Sequence, residues 1–346
     1  MNIDSISLHT PGPDGLAGLA AFPPATGTIV GQLGFGGLAF LEPARARMKG
    51  LDWPLLWAQG DVCPGTGVAG VQAYRVAGPE VRRINVDGRV VGSAWSDPDA
   101  DFCLLAGILP ADPGASRFDQ TRGCFEQIEA ALGQAGLDFS HVARTWLYLD
   151  QLLDWYDEFN AARTEFFHSR NVFQGLIPAS TGIGARNPAG AALVAGALAV
   201  RPRHDRVTVR EVGSPLQRAA TEYRSSFSRA VEVAVPGRRT LFISGTASIA
   251  PDGRTLHGED VGRQIELTLD VVEGILESRG MDWPDTTRAI AYFHDLEALP
   301  RFEACCRARG LPALPVVPVQ ATVCRGDLLF ELELDAASAS AAPDPA

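Results

Sequence analysis

Two stretches of this chain, about 101–200 and 227–335, run through the same order of sequence patterns, and a duplicated order has to fold twice into the same unit. Each opens with an apolar strand pattern ending near a glycine turn, FCLLAGILP (102–110) and TLFISGTASI (240–249). An amphipathic helix follows. Phe125, Ile128, Ala131 and Leu132 recur at helical spacing in the first copy, as do Ile265, Leu269, Val272, Ile275 and Leu276 in the second. Both helices stop at a glycine followed by an apolar residue and Asp, at Gly136-Leu137-Asp138 and Gly280-Met281-Asp282, the signal of a left-handed C-terminal cap. Each copy continues with a strand holding an Arg and a Tyr at fixed places (Arg144 and Tyr148, Arg288 and Tyr292). A second helix comes next, and each copy closes with β-rich sequence. Strands interleaved with helices predict an α+β fold of two tandem units, each a mixed sheet backed by two helices.

Residues 1–95 match neither copy. They are rich in Gly and Pro with short strand patterns, and Asp87-Gly88 predicts a hairpin turn. They read as a β-rich N-terminal extension adding strands to the first unit. The predicted division is 1–205 for extension and first unit, 206–336 for the second unit, and 337–346 as a disordered tail of small residues.

The net charge of −11 argues against nucleic-acid binding, which needs a basic face. No apolar run reaches the roughly 18 residues of a membrane span, and the first thirty residues lack a signal-peptide pattern. The six cysteines form no C-x-x-C pair and are too sparse for a disulfide framework, so a reducing cytoplasm is expected. The histidines show no ligand spacing, and neither a phosphate-binding glycine loop nor a serine-hydrolase elbow appears, so no metal and no nucleotide is predicted. Of thirty basic residues only Lys49 is lysine. An anionic substrate would therefore be held by arginine forks, which suit carboxylates.

The copies differ at their closing strands. The second has Phe330-Glu331-Leu332-Glu333-Leu334-Asp335, which puts three carboxylates on one face and three apolar residues on the other. The first has Gly196 and Leu198 where carboxylates would stand. A stripe of acids is either a solvated face or, where partly buried, a source of a carboxyl that stays protonated and can act as a general acid. Cys324 lies seven residues before Glu331, and as a lone cysteine it reads equally as a small buried hydrophobe.

The second copy resembles the RidA/YjgF family through Phe227–Val231, Leu241–Gly245, the helix ending at Gly280-Met281-Asp282, Val319-Gln320-Ala321 and Phe330–Glu333; the first copy resembles it more weakly. The resemblance implies ligand clefts between neighbouring units. Deaminases of that family carry an Arg directly after a Pro-Ala pair. Here Pro178-Ala179 is followed by Ser180, and the second copy has Pro315-Val316. The tandem as a whole resembles the chorismatases, through Arg144-Thr145-Trp146, Asn160–Arg163, Pro178–Ile183, Ser244–Ala247, and Cys324 with Glu331.

That resemblance implies Glu331 as the catalytic acid. It implies Cys324 as the residue that goes with pyruvate release and aromatisation to 3-hydroxybenzoate. A second product-determining position aligns with Ala247 or with Gly245. Chorismate is a dianion, so arginines must hold its carboxylates. Arg163, peculiar to the first copy because Cys306 stands at the matching place, and Arg144 are the candidates, with Tyr223 as a further hydrogen-bond partner. The reaction is redox-neutral and implies no cofactor, and the covalent tandem implies a monomer. Four further readings stay open: formation of 4-hydroxybenzoate beside the 3-isomer, hydrolysis of chorismate to a dihydroxycyclohexadiene carboxylate, a RidA-type enamine/imine deaminase, and a metabolite-binding module without turnover.

Overall fold

The computed structural model describes residues 3–9, 16, 19, 26–48, 50–223 and 225–339. Lys49 and residues 340–346 lie outside the described residues. The elements run β1 (Ile3–His9), β2 (Thr28–Gly36), α1 (Leu41–Arg47), β3 (Leu55–Gly60), β4 (Val68–Val76), β5 (Val81–Val86), β6 (Arg89–Ser96), β7 (Ala100–Ile108), α2 (Arg117–Gln134), β8 (Val142–Leu149), α3 (Leu152–Ser169), β9 (Ala179–Arg186) and β10 (Leu193–Pro202). The second half follows with β11 (Thr208–Val212), β12 (Ala230–Val235), β13 (Arg238–Ala247), α4 (Val261–Glu277), β14 (Thr286–Phe293), α5 (Leu299–Ala308), β15 (Val316–Gln320) and β16 (Phe330–Ala339).

The repeat is visible in the strand order. The second sheet reads β11-β12-β13-β16-β14-β15, and the matching part of the larger sheet reads β5-β6-β7-β10-β8-β9. In both, only the last pair is parallel (β14 with β15, β8 with β9), as a crossover through a helix requires. The predicted caps form: Gly136 and Gly280 have positive φ, and Leu137 N and Met281 N close back on Leu132 O and Leu276 O at 3.1 and 3.0 Å. Asp87 and Gly88 both have positive φ and turn β5 into β6, the geometry an Asp-Gly hairpin favours.

The extension does more than add strands. β5 and β6 complete the first unit as counterparts of β11 and β12. The remaining strands, in the order β1-β4-β2-β3, reproduce the inner part of the same topology, with β2 and β3 parallel and α1 between them in the chain. This shortened third unit joins the first through β3 and β9, and its β4 packs against β15 of the second. The three units enclose one apolar core. At its centre Phe35, Tyr148 and Tyr292 come from the corresponding strands β2, β8 and β14. Phe35 packs edge-on to both tyrosines, and the two hydroxyls are 2.9 Å apart. The predicted start of the tail at 337 falls inside β16, because Ala337 to Ala339 pair with Thr240 to Arg238.

Candidate active site

The closing strand β16 alternates as its sequence dictates. Phe330, Leu332 and Leu334 enter the core beneath α4 and α5. Glu331, Glu333 and Asp335 take the other face, which a lone antiparallel sheet would show to water. Here that face meets the first and third units, and the three acids are 4, 0 and 2% exposed. The register also fixes what the first unit lacks. Glu333 pairs with Ile290 and Asp335 with Arg288, while Gly196 and Leu198 pair with Trp146 and Arg144 in the same frame.

Two of the acids are neutralised. Glu333 accepts from Arg144 Nη2 at 3.0 Å and Trp146 Nε1 at 3.2 Å, and also pairs with Arg288. Asp335 pairs with Arg288 Nη1 at 3.1 Å and accepts from the Tyr74 hydroxyl at 2.7 Å. Glu331 forms no ion pair among the described residues. Burial pushes its carboxyl up to about 8, against the pull of Arg144 and Arg229.

Glu331 lines a narrow cavity of about 50 Å³ between the units, which shares Tyr156, Ser225, Cys324 and Arg325 with a neighbouring cleft of about 1300 Å³. β9 supplies Ser180 and Gly182 to one wall, and α3 supplies Tyr156 and Arg163. The second unit supplies Phe227, Arg229, Gly245, Ala247, Cys324 and Glu331. Gly245 sits where the β13–β16 register slips, and a methyl group there would run into Glu331 Oε1. Its N–H donates to Thr181 Oγ1 at 3.1 Å, and the same oxygen accepts from Arg144 at 2.6 Å. Ala247 faces Glu331 directly across the strand pair.

Two guanidinium groups flank the Phe227 ring. Arg163 lies 6.0 Å and Arg229 5.6 Å from its centroid, a placement that favours cations over a π face. Arg163 Nη2 donates to Asn160 Oδ1 at 2.6 Å, and Arg229 Nε donates to Arg218 O at 3.0 Å. In the same cavity the Cys324 thiol is pushed up to about 12 by burial and by Glu331. It is a neutral thiol, not a thiolate nucleophile.

Of the residues singled out in the sequence, Glu331, Cys324, Arg163, Gly245 and Ala247 meet in this cavity. Arg144 does not line it: fully buried and held by Thr181 and Glu333, it stands behind the wall. Its choice as a substrate-binding group is corrected on that ground. Tyr223 ends a short 3-10 turn, Ala220–Tyr223, and its side chain lies outside the described residues. Arg229, Tyr156, Phe227 and Ser180 had not been singled out. The repeat carried a signal for Arg229, because its counterpart by register in the first unit is the apolar Val91. Ser180 stands where the RidA-type deaminases place their arginine.

Fold and inter-unit cavity together define a tandem α+β protein of RidA-like units. Residues 99–200 match the family model described as endoribonuclease L-PSP. A crystal structure of chorismatase superposes with a TM-score of 0.71 and 20% identity, covering 97% of this chain and 99% of that one. A chorismatase from Streptomyces rapamycinicus is 26% identical over 305 residues, 78% of this chain and 86% of the relative. A 3-hydroxybenzoate synthase from Streptomyces hygroscopicus is 27% identical over 262 residues, 68% and 74% of the two chains. Over most of its length the chain is similar in sequence and in fold to the chorismatases.

Proposed function

We propose that this protein cleaves chorismate to pyruvate and 3-hydroxybenzoate, with Glu331 as general acid. The observation that carries the reading is a buried glutamic acid, its carboxyl pushed up to about 8, in a cavity also lined by two arginines from different units. The names of the relatives support the substrate.

The chemistry balances without a cofactor. Glu331 gives its proton to the methylene carbon of the enolpyruvyl ether, which makes the side chain an electron-poor oxocarbenium. The bond between ring carbon and ether oxygen then breaks, and its electron pair leaves with oxygen as the carbonyl of pyruvate. The ring cation loses a C–H proton to the Glu331 carboxylate, becomes aromatic and restores the acid. If the ring hydroxyl oxygen, still carrying its proton, first bridges to the vacated carbon and its original C–O bond then breaks, the positive charge passes to the carbon it left. The C–H lost is then the one on the carbon that now bears oxygen, and the product is 3-hydroxybenzoate; without that shift it is 4-hydroxybenzoate. If water attacks the oxocarbenium instead, the ether oxygen stays on the ring and a dihydroxycyclohexadiene carboxylate results. Cys324 is a poor host for water, and its neutral thiol favours aromatisation over hydrolysis. Arg163 and Arg229 hold the two carboxylates. General acid catalysis of this kind is worth about 10²–10⁴-fold.

The N-terminal unit fills the third place in the ring around Phe35, Tyr148 and Tyr292, and on that basis the chain acts as a monomer. The deciding experiment incubates the purified protein with chorismate and separates the products by chromatography with mass detection. Pyruvate with 3-hydroxybenzoate is the expected pair. Cys324→Ala should shift the mixture toward the diene diol. Unchanged chorismate would overturn the assignment.

A further inference from the structure

The buried acid stripe holds more charge than one acid needs. Arg144 and Arg288 bring two positive charges, and Glu333 and Asp335 bring two negative ones. These four residues form a closed, neutral cluster in which Glu333 contacts both guanidinium groups and Asp335 contacts one. Glu331, two residues from Glu333 on the same strand face, is the acid left over. Arg144 is a potential counter-ion behind the cavity wall, joined to the Gly245 bulge against the Glu331 carboxyl through Thr181 Oγ1. Arg144 Nε and Nη1 have no acceptor among the described residues, so it has N–H groups to give.

We propose that Glu333 is a positioning residue: by holding Arg144 it denies Glu331 a counter-ion, and so keeps the proton-donating group in its neutral form. Glu333 never touches substrate, and it acts through Arg144. The other groups around Glu331 do not replace it. Tyr292 on β14 is neutral, Tyr156 and Arg163 come from α3, Arg229 precedes β12, and Cys324 and Arg325 lie on the loop before β16. Arg163, Arg229 and Arg325 face the cavity, where an anionic substrate screens them; Arg144 is sealed off from substrate, and among the described residues Glu333 is the carboxylate that pairs with it.

The inference deepens the chorismate reading, but its test does not depend on turnover alone. Wild type, Glu333→Gln and Arg144→Met are compared in the full chain. One readout is the pH dependence of kcat/KM for chorismate. The other is an infrared titration of the protonated carboxyl band that disappears in Glu331→Gln. Glu333→Gln should move the pH of half-loss on the alkaline side down by on the order of one pH unit, and Arg144→Met should move it up. Opposite signs from two partners of one ion pair are not what general loosening would give.

Both variants moving the same way, or neither moving, overturns the proposal. If urea unfolding shows that Glu333→Gln does not fold, Arg144→Met and the double variant decide: the proposal requires both to lie at or above the wild-type value. Opposite shifts in the infrared band without cleavage of chorismate would sink the chorismate reading and keep this one. Cleavage with an unmoved profile in both variants would do the reverse.

Discussion

Replacing Glu331 by Gln tests the central physical claim through stability as well as rate. The folded protein keeps the Glu331 proton up to about pH 8, because burial disfavours the carboxylate. The unfolded chain releases it near the ordinary glutamate value of 4.5. Between these values the folded state binds more protons than the unfolded state, so this group's contribution to stability falls as pH rises. It is fully present below pH 4.5 and lost as pH climbs through about 8. At about 1.4 kcal/mol per pH unit the loss reaches about 5 kcal/mol and then levels off. Gln has nearly the same shape and cannot ionise. Urea unfolding of both proteins from pH 5 to 9 should give similar stabilities at the acid end and a variant about 5 kcal/mol more stable at the alkaline end. Turnover of chorismate should fall by about 10²–10⁴-fold below about pH 8 and by less above it, where wild type loses the same proton. Parallel stability curves, or a wild type that gains on the variant as pH rises, would refute the buried, proton-keeping acid.

Other perturbations read other parts of the site. Gly245→Ala drives a methyl group against the Glu331 carboxyl and should cost about 1–3 kcal/mol of stability and most of the activity, seen by unfolding and product assay together. Arg229→Met should raise KM for chorismate by about 10-fold or more through loss of a charge-assisted carboxylate contact, with kcat less affected in steady-state kinetics. Tyr292→Phe removes the hydroxyl pair at the centre of the three units and should cost about 0.5–1.5 kcal/mol in thermal unfolding without changing the product mixture. Glu232 is buried among Arg210, Arg279 and Arg239, and hydrogen bonds from Arg279 and Arg210 hold its carboxyl below the ordinary range despite the burial. Its contribution is present above the unfolded value and lost as pH falls, so Glu232→Gln should flatten the acid side of the stability profile.

The sequence by itself determined the units. Apolar periodicity, glycine caps at fixed places and the Asp-Gly hairpin are local signals, and each is set by backbone conformation within a few residues. The repeat offset put Arg144 with Arg288 and Tyr148 with Tyr292, and alternation placed Glu331, Glu333 and Asp335 on one face of a strand. Resemblance added the expected chemistry of Glu331 and Cys324. What tertiary structure decided was the meaning of that face. Alternation cannot say whether three acids meet water or another sheet, because that depends on residues more than a hundred positions away: Arg144 and Trp146 in the first unit, Tyr74 in the third. The same distance hid the role of Arg144, which looked available for substrate and is spent on Glu333. It also hid Arg229, whose wall exists only where two units meet. The third unit escaped notice because its four strands keep the topology without the repeat's sequence marks; only strand pairing, a long-range property, makes its order the same as the others.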